Sequence, residues 1–196
     1  MKAETIAVGS ELLLGQIANT NAQYLGEELA ALGIGLHHIT TVGDNRERLK
    51  AALATAWNRA DTIILTGGLG PTQDDITKET LAEFLGLELL LDTSSLEAIR
   101  CSFARRGRRM TDNNIKQALM LKGSTVLPNP NGTAPGVWLE HKGKVAVVLP
   151  GPPFELQPMF SNHVLPRLEG LTGDKKAISK SRILKFYGIG ESQAEE

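Results

Sequence analysis

Cysteine is nearly absent from this chain: Cys101 is the only one in 196 residues. An intrachain disulfide is excluded, a reducing compartment suits the composition, and Cys101 reads as a small core residue. Aromatic residues are scarce at 5%, too few for a base-stacking platform. Neither sign of charge dominates, with 21 Lys and Arg against 22 Asp and Glu and a formal net charge of -1. No global field therefore gathers nucleic acid or an anionic membrane surface. No apolar run comes near the ~20 residues of a membrane span. The opening Met1-Lys2-Ala3-Glu4-Thr5 is not that of a secretory signal. These absences describe a soluble, cytoplasmic protein with no membrane partner and with nucleic acid disfavoured.

Several chemistries are missing as well. No Gly-Lys-Ser/Thr follows a glycine turn, so a nucleotide P-loop is excluded. Gly68-Leu69-Gly70 and Gly188-Ile189-Gly190 lack the third glycine of a dinucleotide fingerprint, with Gln73 and Gln193 in its place. Ser10 has no nucleophile-elbow context. His37, His38, His141 and His163 show no metal-ligand spacing, and His37 and His38 point to opposite faces of a strand.

What is present suffices for one well-buried core: 41% of the residues are hydrophobic. Thr5 to Val8 reads as a strand ending at Gly9. Asn19 is placed to cap a helix with Ala22, Leu25, Leu29 and Leu32 on one face, closed by Gly33. Ile34 to Val42 is a second strand. Leu49, Ala52, Leu53, Ala56, Trp57 and Ala60 recur at helical spacing, and Thr62 to Leu65 is a third strand. This alternation predicts an α/β fold with a parallel sheet and right-handed crossovers. Helices are predicted from Asp75 to Leu85, Ser94 to Arg106, Thr111 to Leu121 and Glu155 to Leu168. Thr125 to Leu127 is a short strand, and residues 136–140 and 144–149 form a hairpin. Residues 1–170 read as the domain. The polar stretch from Gly170 to Lys176 opens a linker over 171–196, with a strand from Ile183 to Tyr187. The ending Glu195-Glu196 reads as the first turn of a further helix, which implies a longer parent chain.

The stretch Thr66-Gly67-Gly68-Leu69-Gly70-Pro71-Thr72-Gln73-Asp74-Asp75 follows the apolar run Thr62-Ile63-Ile64-Leu65. Glycines leave backbone N–H groups uncovered, and a helix N-terminus adds its positive dipole end, which together suit a phosphate. A tight strand-to-helix turn explains the glycines as well. The carboxylates that follow tip the reading towards a site, because beside phosphate they need a divalent metal or a hydroxyl donor between. Ligands of open α/β sheets bind at the carboxyl ends of strands. That rule recruits Glu11 after strand one and Asp44 after strand two. Each acid has a plainer reading: Glu11 a surface acid, Asp44 a helix N-cap, Asp74 a cap and Asp75 a dipole partner of its own helix. Two further loops, Asn129 to Gly136 and Leu149 to Glu155, are stiff and rich in turn residues. Asn131-Gly132-Thr133 matches a glycosylation sequon without a secretory signal to support it. Arg105-Arg106-Gly107-Arg108-Arg109 reads as a solvated link between helices.

Gly9-Ser10-Glu11-Leu12-Leu13-x-Gly15, Asn19-Thr20-Asn21, Val42-Gly43-Asp44-Asn45, the 66–75 stretch, Asn131-Gly132-Thr133-Ala134-Pro135-Gly136 and Leu149-Pro150-Gly151-Pro152-Pro153-x-Glu155 together resemble the N-terminal domain of the competence/damage-inducible protein CinA family. The wider superfamily is the molybdopterin-binding domain, which shares the Thr-Gly-Gly-x-Gly turn and the Asp75-Ile76-Thr77 that follows. Leu69 stands where the cofactor-biosynthesis relatives usually carry Thr, which favours the CinA branch. The resemblance implies a three-layer α/β/α fold with a mostly parallel sheet. It also implies ADP-ribose pyrophosphatase activity, giving AMP and ribose 5-phosphate with Mg, Mn or Co, potassium as a candidate second cation, and a homo-oligomer. On that reading Asp44 and Asp75 are catalytic, and Glu11, Asp44, Asp74 and Asp75 hold metal. Thr66, Gly67, Gly68, Gly70, Thr72, Asn131, Gly132, Thr133, Ala134, Pro135, Gly151 and Glu155 bind the nucleotide diphosphate. Nothing in the chain resembles the nicotinamide mononucleotide deamidase domain that full-length members often add. Two other readings stay open: a molybdopterin- or nucleotide-binding module without hydrolase activity, and an interaction domain whose DNA contact would use Arg105, Arg106, Arg108 and Arg109.

Overall fold

The computed structural model describes residues 1–172 together with Tyr187, Gly188, Gly190 and Gln193. Its elements run β1 (Lys2–Val8), a single helical turn α1 (Ser10–Leu13), α2 (Thr20–Ala31), β2 (Gly35–Val42), α3 (Arg46–Arg59) and β3 (Thr62–Thr66). There follow α4 (Thr77–Leu85), β4 (Leu89–Leu91), α5 (Thr93–Arg105), a 3-10 helix (Asp112–Ala118), β5 (Leu119–Leu121), β6 (Thr125–Leu127), β7 (Gly136–His141) and β8 (Lys144–Leu149). Helix α6 (Pro153–Met159) passes through a π turn (Phe160–Val164) into α7 (Leu165–Thr172). The π turn precedes Pro166, which has no N–H to continue the regular ladder.

The main sheet has six strands in the order β2-β1-β3-β8-β7-β6. The first four are parallel, and β7 and β6 add an antiparallel edge. Side-chain alternation decides what each face carries. Ile63, Leu65, Ala146 and Val148 point to one side, where Leu49, Leu53 and Ala56 of α3 and Leu81 of α4 cover them. Ile64, Val145, Val147 and Leu149 point to the other, against Leu25 and Leu29 of α2 and Leu156, Met159, Phe160, Val164 and Leu168 of α6, the π turn and α7. The result is the expected three-layer α/β/α arrangement. Each such large side chain, fully buried, contributes about 1.5–3 kcal/mol. The carboxylate of Glu4 in β1 is buried too, and it accepts from Arg59 Nε and, at 3.0 Å, from Arg59 Nη2. Pairing keeps that carboxylate affordable inside the protein.

The caps fall where short polar residues allow them. Asn19 accepts from the Ala22 N–H at 3.1 Å, as its position predicts. Asn45, not Asp44, caps α3 by accepting from the Arg48 N–H at 3.0 Å. The helix expected from Asp75 starts at Thr77, because Asp75 is held in the preceding turn. The helix expected over Thr111 to Leu121 is a correction. Only Asp112–Ala118 coils, as a 3-10 helix, and Leu119–Leu121 pairs antiparallel with Leu89–Leu91. A short apolar run fits either period, and here strand pairing wins over helical spacing. Cys101 is exposed rather than in the core, because the buried positions of α5 are Ser95, Leu96, Ile99 and Ser102. Helix α7 runs through Gly170 to Thr172. The rest of the expected linker lies outside the described residues but for isolated positions, and so does the expected strand over residues 183–187 but for Tyr187. Among the described residues, no helix is long and apolar enough to cross a membrane.

Candidate functional site

Parallel pairing brings the carboxyl ends of four strands together. Val8 lies beside Val42, Ala7 beside Thr66, and Thr66 beside Leu149. Two backbone bonds carry the ladder past the strands, Gly9 N–H to Val42 O at 2.9 Å and Gly67 N–H to Leu149 O at 3.0 Å. The loops leaving this edge enclose a cavity of about 440 Å³. Its wall includes the glycine turn and five carboxylates, Glu11, Asp44, Asp74, Asp75 and Glu155.

The turn is shaped by its glycines. Gly67 and Gly68 have φ of 92° and 64°, a region that disfavours any side chain. A Cβ on Gly67 would strike the Val8 carbonyl, and one on Gly68 would strike the Thr77 hydroxyl. Five of the turn's carbonyls are tied elsewhere. Gly67 O accepts from Thr77 Oγ1 (2.8 Å), Gly68 O from the Thr77 N–H (3.2 Å) and Leu69 O from Gln117 Nε2 (3.2 Å). Lys116 Nζ donates to both Thr72 O (2.8 Å) and Asp75 O (2.6 Å). By contrast, the N–H groups of Gly68, Leu69 and Gly70 donate to nothing among the described residues. A run of unpartnered amides on a left-handed turn is an anion-binding concavity.

The acids follow a pattern of their own. Asp75 Oδ2 accepts from the Thr72 N–H (2.9 Å) and the Thr72 hydroxyl (2.7 Å). Asp44 Oδ2 accepts from the Ser10 N–H (2.9 Å), while the Asp44 N–H donates to Ser10 Oγ (3.2 Å). Glu155 Oε2 accepts from Asn129 Nδ2 (2.6 Å). Each of these three is oriented through one oxygen, and the other has no partner among the described residues. Glu11 folds over Gly9, where a Cβ would meet its Oε1 at 2.5 Å, and its carboxylate, like that of Asp74, has no partner among the described residues. No three His, Cys, Asp or Glu among the described residues gather closely enough to hold a metal unaided.

Of the residues singled out by sequence, Glu11, Asp44, Gly67, Gly68, Gly70, Thr72, Asp74, Asp75, Thr133, Ala134, Gly151 and Glu155 line this cavity. Thr66 is buried in β3 below it. Gly132 and Pro135 face a separate cavity together with Thr133. Asn131 lines neither, its amide donating to Phe154 O at 2.7 Å. Sequence reasoning missed Gln117, Lys116 and Lys78. Buried Lys78 donates to Gln117 O at 2.7 Å, and burial pushes its ammonium down to about 8. Arg106, from the basic cluster, reaches the 129–136 loop and donates to Asn131 O at 3.3 Å.

Fold and cavity define a molybdopterin-binding-like α/β domain. A family model described as "Probable molybdopterin binding domain" matches residues 4–170. A relative in Caldanaerobacter subterraneus subsp. tengcongensis, named as competence-damage inducible, is 57% identical over all of this chain and 47% of its own length. One in Bacillus cereus strain ATCC 10987, named likewise, is 54% identical over 195 residues. The chain thus spans about half the length of the curated relatives it matches, 47%. The crystal structure of CinA from Thermoplasma acidophilum superposes with a TM-score of 0.78 at 31% identity, covering 86% of this chain and 97% of that one. MoaB from Thermus thermophilus shares the fold alone, with a TM-score of 0.57 at 19% identity over 89% of this chain and 97% of its own. The chain belongs to the molybdopterin-binding-domain family and, within it, to the competence-damage inducible CinA proteins.

Proposed function

We propose that this domain hydrolyses the diphosphate of ADP-ribose to AMP and ribose 5-phosphate with the help of a divalent cation. The observation that carries the proposal is the run of free amides at Gly68, Leu69 and Gly70, set inside a ring of carboxylates that each keep an unpartnered oxygen. The amides bind diphosphate oxygens through preorganised N–H donors. The free oxygens of Asp44 and Asp75, with Glu11 and Asp74 beside them, are hard donors that suit Mg²⁺, Mn²⁺ or Co²⁺, with K⁺ as a second cation. Among the described residues no three of these acids converge, so on this reading substrate phosphate would have to complete the cation's ligands. Such a cation, when bound, neutralises phosphoryl charge and acidifies a water. One carboxylate, Asp44 or Asp75, would take the proton from a water that adds to phosphorus as the anhydride P–O bond breaks, one phosphate monoester leaving and the other carrying the new oxygen. Thr133, Ala134, Gly151 and Glu155 wall the substrate in. A homo-oligomer is part of the same reading.

Phosphorus NMR of ADP-ribose incubated with this chain, with and without Mg²⁺, Mn²⁺ or Co²⁺, tests the proposal. Metal-dependent resonances of AMP and ribose 5-phosphate are expected, and an unchanged spectrum over folded protein overturns it. The same missing three-acid cluster favours a second reading, in which the cavity binds a pterin or nucleotide without hydrolysing it. Tight pterin binding with no diphosphate cleavage selects that one.

A further inference from the structure

The loop after β6 was expected to serve one site, yet it borders two cavities. Thr133 lines both, while Gly132 and Pro135 line only the second. This second cavity, about 420 Å³, lies between α5 and the loop. That size, with mostly apolar walls and a few polar groups, is typical of small-ligand pockets. Ile99, Val126, Pro128, Pro130 and Pro135 supply flat apolar wall, and Ser102 and Arg105 supply polar groups.

The wall is preformed. Asn129 Oδ1 accepts from the N–H groups of Asn131 (3.1 Å) and Gly132 (2.8 Å). Its amide donates to Ala134 O (3.0 Å) and to Glu155 Oε2 (2.6 Å). One side chain therefore fixes the loop facing the second cavity and orients a carboxylate facing the first. Gly132 fits under Glu155 only because it has no Cβ, which would collide with that carboxylate. On the far side, Asp92 caps α5 by accepting from the Ser95 N–H at 2.6 Å, so its carboxylate is already engaged. The pocket suits a flat ring whose polar edge accepts hydrogen bonds from Arg105 and Ser102. Where aromatics are scarce, rigid proline rings offer the faces a planar ring needs.

We infer that the second cavity holds the nucleoside base of a nucleotide whose phosphates rest on the 67–70 turn, with the sugar crossing at Thr133. This inference rests on the phosphate reading of the first cavity. It assigns a direction to the diphosphate: the base-bearing half extends over Thr133 towards α5, and the half without a base extends away from it.

AMP and inorganic diphosphate are the probes, titrated calorimetrically into the wild-type chain and into Ala98→Trp. Ala98 lines the second cavity from an exposed position on α5 and touches nothing in the first. The indole is expected to weaken AMP binding by about tenfold or more while leaving diphosphate affinity unchanged. In the wild type, the adenine H2 and H8 protons are expected to show NOEs to the methyl groups of Ile99 and Val126. Unchanged AMP affinity in the variant, or adenine NOEs that avoid both residues, overturns this inference alone. A wild-type chain that binds neither probe overturns the phosphate site and this inference together.

Discussion

Two walls of one cavity are built in opposite ways. The glycine turn is locked from inside: the carbonyls of Gly67, Gly68, Leu69, Thr72 and Asp75 each accept from Thr77, Gln117 or Lys116. The acid rim is held lightly. Asp44 is tied to Ser10 alone, and Glu11 and Asp74 have no partner among the described residues. On the proposed reading the turn binds an anion, which requires amides that already point inward, so rigidity there would serve function. On the same reading the rim carboxylates take up a cation or a proton and need free oxygens, so looseness there would serve function too. The comparison predicts that substitutions in the turn damage the fold first, whereas those on the rim damage only chemistry.

The largest effect is expected for Gly68→Ala. The new methyl enters a φ of 64° and collides with the Thr77 hydroxyl. Strain and overpacking together should lower unfolding free energy by about 4 kcal/mol. Gly151→Ala is the control, since its Cβ would meet nothing closer than Gly67 Cα at 3.6 Å. Its stability in urea should stay within about 0.5 kcal/mol of wild type. Equal losses in the two variants would mean that the turn is no more rigid than the loop facing it.

Lys78 comes next, because it supports the turn through Gln117. Burial lowers its pKa from 10.5 to about 8, with Glu79 opposing and Lys116 adding to the shift. Between those values the unfolded chain binds more protons at this site than the folded one, so this site's contribution to stability rises with pH from about 8 to 10.5. The rise amounts to about 3 kcal/mol. Lys78→Met should flatten that part of the stability profile, measured by urea unfolding at a series of pH values. A profile parallel to wild type would show that Lys78 is not shifted. Thr77→Val is smaller: it keeps shape but strips the Gly67 carbonyl of its donor, costing about 2 kcal/mol. Retained diphosphate affinity in that variant would show that the turn holds its amides without the lock.

The rim was far more legible in the sequence than the lock. Glu11, Asp44, Asp74 and Asp75 each follow a strand, and parallel strands deliver their carboxyl ends to one edge. The parallel strands and helices α2 and α3 were legible because their periods differ. The lock was not, because its partners are far apart in sequence. Lys78 and Gln117 are separated by 39 residues, and a lysine in a helical pattern reads as solvent-facing. Gln117 lies where helical spacing was assumed, and only the pairing of Leu119–Leu121 with Leu89–Leu91 shows that the coil is a short 3-10 turn. Asp44 and Asn45 are both capping residues by type. Backbone geometry alone decides that Asn45 caps and Asp44 is released to the rim.

Glu11 gives the smallest stability effect and the sharpest contrast. Its carboxylate is exposed, lies over Gly9 and bonds to nothing among the described residues. Glu11→Gln keeps the shape and removes only the charge, so thermal unfolding should stay within about 0.5 kcal/mol of wild type. A charge that serves only a cation is felt only when the cation is present. The variant should therefore need several-fold more Mg²⁺ for half-maximal diphosphate cleavage, with little change at saturating metal. A loss of stability above about 1 kcal/mol would place Glu11 in the framework with Thr77 and Gln117. In that case the division between a rigid turn and a compliant rim would fail at the residue where it should be clearest.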